Sequence, residues 1–230
     1  MRLPVALALS LSVAGLLIGA ERSVLAAGLT TTSVAAKARA FASAETLDES
    51  VLKLALNATV CARNAGQVTN DRLLTVIDYS KASTEPRLWV LDLESERVLF
   101  EELVAHGQGS GDNYATRFSN EDGTHQTSLG LFRTADTYVG SNGYSLRLDG
   151  LEAGVNDRAR ERAIVVHGAP YVNAAASRSL GRLGRSWGCP ALRPAVARSV
   201  IDTIKEGSLV FAYYPDRDWL RTSRFLNGCS

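Results

Sequence analysis

The chain has 230 residues, 46% of them hydrophobic and 21% charged, with a formal net charge of +1 at pH 7. That length supports one well-buried domain plus a small appendage. The near-neutral balance gives no electrostatic footprint for nucleic acid, and inspection finds no solenoid-length repeat or low-complexity tract.

The first element is a leader. Met1-Arg2 precedes an apolar stretch over residues 3–20, followed by small residues that suit cleavage after Ala20 or Ala26. This pattern reads as a secretory signal over residues 1–26, and its length also allows an uncleaved single-span anchor. No cysteine stands at either cleavage point, which argues against a lipoprotein.

Residues 27–71 form a lead-in and a helix. The Ala-, Ser- and Thr-rich part carries a short helical pattern around residues 34–41. Thr46 and Glu49 then have capping-box spacing. Leu47, Val51, Leu54, Ala55, Ala58, Cys61, Ala62 and Ala65 make a packing stripe, with Gly66 as the C-terminal cap.

From Leu73 the period changes. Strands are predicted over residues 73–79, 87–93, 98–104, 129–138, 144–148, 163–167 and 209–214. A second helix starts at Pro194, carries Val196, Ala197, Val200, Ile201 and Ile204 on one stripe, and stops at Gly207. Many short strands with polar turns predict a mainly β body over residues 72–216. Residues 217–230 remain as a C-terminal tail.

The chemistry concentrates in two segments. Ala163-Ile164-Val165-Val166 reads as a buried strand ending in His167 and Gly168, and Gly184-Arg185-Ser186-Trp187-Gly188-Cys189-Pro190 follows after a loop. A thiol between a glycine and a proline is poorly placed for core packing. A strand-end histidine can act as its general base, so the pair predicts a cysteine nucleophile. Backbone N–H groups at Gly188 and Cys189 are the candidate oxyanion donors. Residues 184–188 also fit G-x-S-x-G, but no buried strand precedes Ser186 and no histidine follows it.

Three cysteines are present, Cys61, Cys189 and Cys229. If Cys189 is the nucleophile, Cys61 and Cys229 are left to bridge; the alternative is a Cys61 that is simply a buried apolar residue. His106 ends a strand at the glycine-rich run 107–111 and is a candidate lining residue, whereas His125 reads as solvent-facing. The histidines and Cys189 show no zinc-ligand spacing, so no metal is expected. Arg178, Arg182, Arg185 and Arg193 surround the motif in sequence and would suit an acidic ligand. A solvated basic loop is the plainer reading of the whole set.

Residues 164–169 and 181–191, with His106-Gly107-Gln108-Gly109-Ser110-Gly111, Phe118-Ser119-Asn120, Ser128-Leu129-Gly130 and Ser145-Leu146-Arg147-Leu148, resemble the murein L,D-transpeptidase catalytic family (YkuD-like). The likeness is closest to its secreted branch with a Ser-x-Gly-Cys-Pro motif, and it spans about residues 72–215. The resemblance implies a β-sandwich-like fold and a peptidoglycan stem-peptide substrate. Cys189 matches the nucleophile and His167 the base, with the Gly168 carbonyl orienting the imidazole. Ser186 and Gly188 match positions flanking the thiol pocket. Trp187 stands where many members have histidine, and Ala191 where many have Asn or Arg. Arg193, Arg185, Trp187, His106 and Tyr171 are the substrate-binding candidates.

The implied reaction is acyl transfer through a thioester at diaminopimelate, with release of D-Ala and cross-linking to a second stem. Alternatives are an L,D-carboxypeptidase, in which water is the acceptor, and a non-catalytic wall-binding module. No cofactor is implied, and neither nucleic acid nor metal is an expected partner. A membrane is one only if the leader stays uncleaved, and the expected location is the periplasm or cell wall.

Overall fold

The computed structural model describes residues 31–41 and 46–228. The expected signal segment and Cys229 lie outside the described residues. The N-terminal part forms α1 (Thr31–Ala40) and α2 (Glu49–Asn64). The cap of α2 differs from the expected capping box. Asp48 is the N-cap, its Oδ1 accepting from the N–H groups of Ser50 at 2.7 Å and Val51 at 3.2 Å. Thr46 instead donates to the Glu101 carboxylate and accepts from the Trp89 indole N–H. At the other end Gly66, at φ 65°, donates to Arg63 O while Gln67 donates to Ala62 O, which closes the helix in a Schellman turn.

These donors hold the Asp48 carboxyl below the ordinary carboxylate pKa, the Ser50 hydroxyl contributing most. The cap therefore stabilises the fold at neutral pH, and its contribution is lost as pH falls through the lowered pKa. Asp48→Ala is expected to lower unfolding free energy by about 1 kcal/mol, read as a lower urea midpoint at unchanged slope. An unchanged midpoint would show that tertiary packing alone fixes this end.

Nine strands among the described residues form one barrel-like sheet. They are β1 (Leu73–Asp78), β2 (Leu88–Asp92), β3 (Arg97–Glu102), β4 (Val104–Ala105), β5 (Gly130–Gly140), β6 (Gly143–Gly150), β7 (Val165–Gly168), β8 (Ala191–Leu192) and β9 (Leu209–Tyr213). The spatial order is β3-β2-β1-β9-β5-β6-β7-β8-β4. The pairs β1–β9 and β7–β8 are parallel and the others antiparallel. The mainly β body expected from the pattern is thus what forms, with every strand in one continuous ladder.

All of β1 and β2 is buried, which is why both read as apolar runs rather than alternations. Helix α2 packs on β1 and β9, and α4 (Pro194–Ile204) packs mainly on β7. Two short helices, α5 (Arg217–Thr222) and α6 (Arg224–Asn227), fold the tail back, α6 against α2. One core takes in Phe41 and Leu56 from the lead-in, Leu74, Phe211 and Ile201 from the body, and Trp219 and Phe225 from the tail. Lead-in and tail are therefore parts of one packed unit. A smaller cluster of Leu103, Ala105, Ala169, Val172, Leu183 and Ala191 underlies the end of the sheet where the motif residues gather.

Candidate active site

The segment between Gly168 and the cysteine motif is not the plain loop its sequence suggests. It contains α3 (Ala174–Leu180), capped by the Asn173 side chain and ended by Gly181 at φ 67°. The chain then returns as β8, whose parallel register sets His167 beside Ala191, two residues beyond Cys189. The register thus brings the segment just after Cys189 alongside the strand that carries His167.

Cys189 is the free cysteine among the described residues and is 8% exposed. Cys61 is disulfide-bonded. The Cys189 thiol donates to the Ala163 carbonyl at 3.6 Å, and its sulfur accepts from the Val165 N–H at 3.5 Å. His167 is buried, and its Nδ1–H donates to the Gly168 carbonyl at 3.0 Å. This bond leaves Nε2 as the basic nitrogen.

Burial raises the Cys189 pKa, against smaller downward pulls from the Val165 N–H and the Arg162 charge. Burial likewise lowers the His167 pKa. Both shifts favour the uncharged forms of thiol and imidazole. Alkylation by iodoacetamide follows the thiolate. It is expected to be slow near neutral pH and to keep rising above the ordinary thiol range. A plateau already reached at pH 7 would show a pre-formed thiolate.

The turn carrying the thiol is fixed by hydroxyl groups. Buried Ser186 donates from Oγ to Cys189 O at 2.7 Å and accepts from the Gly188 N–H at 3.1 Å. The Gly188 N–H is therefore committed, and of the two expected oxyanion donors Cys189 N–H remains. The same bonds remove Ser186 from contention as a nucleophile. Thr127 Oγ1 accepts from the Gly107 N–H and donates to Gly188 O, tying the turn to the glycine-rich run. Ser186 N–H donates to His106 O, and Gln108 N–H donates to Ser186 O.

Three of the substrate-binding candidates make bonds within the fold. His106 is fully buried, accepts from Arg87 Nη2 at Nδ1 (2.8 Å) and points Nε2 at Gly111 O. Burial first, and the Arg87 charge second, lower its pKa to about 4, so it stays neutral and faces inward. Arg87 was not singled out by sequence. It is fully buried, donates to Val104 O and Lys81 O, and burial lowers its pKa to about 10. Arg193 pairs through Nε and Nη2 with Glu102 at 2.7–2.9 Å. Arg185 Nη1 bonds Gly111 O and Asp112. These guanidinium donors hold loops together, because each loop brings a carbonyl or carboxylate within reach.

Arg162 is the other residue missed from sequence. It donates to Ser119 O, Ser128 Oγ and Gln126 O, clamping the 119–128 segment beside the thiol turn. No local pattern announces it, since its partners lie 34 to 43 residues away. The remaining candidates, Trp187 and Tyr171, are exposed at the rim by 71% and 37%. His125 is not free in solvent as expected: its ring stacks on Trp187 at 4.9 Å and 9°.

A family model described as the L,D-transpeptidase catalytic domain matches residues 43–213. The chain belongs to the L,D-transpeptidase catalytic-domain family. No curated protein sequence matches. Among solved structures, the chain is similar to an L,D-transpeptidase from Mycobacterium smegmatis at 17% identity and TM-score 0.38, covering 62% of this chain and 59% of that one. It is similar to the L,D-transpeptidase (Yku) from Stackebrandtia nassauensis at 13% identity and TM-score 0.34, covering 79% and 90%. It is also similar to the helical cell shape determining protein Pgp2 from Campylobacter jejuni at 12% identity and TM-score 0.40, covering 67% and 55%. Against the Mycobacterium smegmatis L,D-transpeptidase the chain thus spans 59% of the relative's length.

Proposed function

We propose that the chain is a cysteine-nucleophile L,D-transpeptidase acting on peptidoglycan stem peptides. One observation carries the mechanism: a free thiol bonded to the first residue of β7, the strand that also carries His167, an imidazole whose Nδ1–H is held by Gly168 O. Family membership supplies the reaction class and the stem-peptide substrate. Rotation of the Cys189 side chain off the Ala163 carbonyl aims the thiol at the His167 side. Nε2 takes the proton as sulfur attacks the carbonyl between diaminopimelate and D-Ala, and the Cys189 N–H stabilises the oxyanion. The C–N bond breaks, the His167 proton goes to the leaving amine, and a thioester remains. An amine of a second stem attacks the thioester, His167 accepts its proton, and an amide forms as the thiol is restored. Trp187 and Tyr171 flank the bound donor, while Cys61 and Cys229 form a disulfide that fastens the tail to α2.

The reading implies passage of the chain across the membrane by its leader and residence at the wall. Its test is product analysis by mass spectrometry after incubation with disaccharide tetrapeptide. Loss of D-Ala with a dimeric product is the expected result. A tripeptide as sole product, with further amines offered, would make water the acceptor. An unchanged substrate would sink the enzymatic reading.

A further inference from the structure

We infer that the Trp187–His125 pair is a stacking platform for a pyranose ring, and thus a glycan-strand subsite beside the thiol. The inference deepens the function proposed above and rests on it for the identity of the wall substrate. Of the three tryptophans, Trp89 and Trp219 are buried at 0% and 4% exposure, whereas Trp187 is 71% exposed. Burial of one indole face by His125 fixes the ring and leaves the other face to solvent.

The support under that ring is built into the fold. His125 adopts φ 52°, a conformation uncommon outside glycine. It is held there by Gly109 N–H donating to His125 O at 3.0 Å and by Gln108 Nε2 donating to His125 Nδ1 at 2.9 Å. His125 O lies so close to Gly107 that a Cβ there would meet it at 2.2 Å. An exposed aromatic with no ligand needs no such second ring at a strained position. A flat, exposed indole face backed by a second ring matches a sugar, which presents C–H groups on its face.

Distance agrees with this assignment. Trp187 is two residues from Cys189, so their Cα atoms are at most about 7.6 Å apart. A stem peptide acylated at its third residue reaches about 11 Å or more back to the sugar that bears it when extended. The exposed indole therefore lies within the stem's reach of the saccharide. Two further exposed aromatics are tied to the same segment. Tyr171 O accepts from the Gly184 N–H, and Tyr114 follows the Gly111-Asp112 pair that holds Arg185.

The test uses the full chain and a peptide-free probe, the β-1,4-linked tetramer of N-acetylglucosamine, with amidase-stripped glycan strands as a second probe. Neither can acylate Cys189, so binding is read apart from turnover. The expected result is saturable quenching of tryptophan emission and a calorimetric binding isotherm in the wild type. The isotherm should vanish in Trp187→Ala and weaken about three- to tenfold in His125→Ala. With turnover substrates, Trp187→Ala should raise KM for disaccharide tetrapeptide several-fold more than KM for the sugar-free tetrapeptide. Absence of glycan binding in the wild type, equal binding by Trp187→Ala, or an equal loss on both turnover substrates would each overturn the platform. Glycan binding without any turnover would retain the platform and remove the transpeptidase reading.

Discussion

Replacing Cys189 with alanine is expected to abolish both D-Ala release and cross-link formation while leaving the fold and substrate binding intact. The substitution removes one sulfur and its two long contacts, to Ala163 O and Val165 N–H, and keeps the Cβ that fills the turn. No hydroxyl can stand in, because both sides of the Ser186 Oγ are already bonded within the turn. Cys189→Ser should be nearly as inactive, since an alcohol is far less acidic than a thiol already pushed upward by burial. His167→Ala should reduce kcat by about 10²- to 10⁴-fold through loss of the general base. The measurement is D-Ala release, with circular dichroism to confirm folding. Cross-linking that survives Cys189→Ala would discard the thioester route.

Gly107→Ala should also reduce activity severely, although Gly107 bears no functional group. Its new Cβ would lie 2.2 Å from His125 O and 2.9 Å from the Gly188 backbone. All of these atoms are main chain, so no side chain can swing aside. The two loops must part, and a displacement of about 1 Å at the thiol costs about 10²-fold in rate. Gly188→Ala meets the same obstacle from the other side, 2.9 Å from Gln126 O, at a φ of 123° that disfavours any side chain. Gly123→Ala is the control. Its φ of 71° carries a backbone cost, but no atom lies within 4 Å of the added Cβ. Similar stability losses with activity lost only at Gly107 and Gly188 would locate the effect in loop spacing. Equal activity in all three would show that the site tolerates a wider gap.

The strands and the two long helices were legible because periodicity and punctuation are local properties. Val165, Val166 and His167 read as a buried strand, and Pro194 marked the start of α4, whereas the helix ends at Ile204, before the expected Gly207. Strand β8 has only Ala191 and Leu192, too short for any period to show. Helix α3 was hidden by its polar residues, though Asn173 before three alanines and Gly181 after them were its signals. The motif located Cys189 and His167, but the work of the arginines lay beyond it. Arg193 meets Glu102 from 91 residues away and Arg185 meets Asp112 from 73, and no sequence window holds both partners. Arg87 is harder still, since a buried guanidinium satisfied by carbonyls and one imidazole looks like any surface arginine in the sequence.

The parallel pairing of β1 with β9 has a kinetic consequence. Leu74 lies against Leu209, so the sheet joins residues 135 positions apart in the chain. β1, buried throughout, cannot complete its pairing until residues 209–213 have been synthesised. Closing so long a loop before its contacts form places such topologies among the slow folders, in the millisecond-to-second range. A nascent chain ending at the glycine after α4 would hold every motif residue and still lack the strand that joins β1 to β5. Assembly of the thiol, the imidazole and their braces therefore waits on residues that take no part in the chemistry.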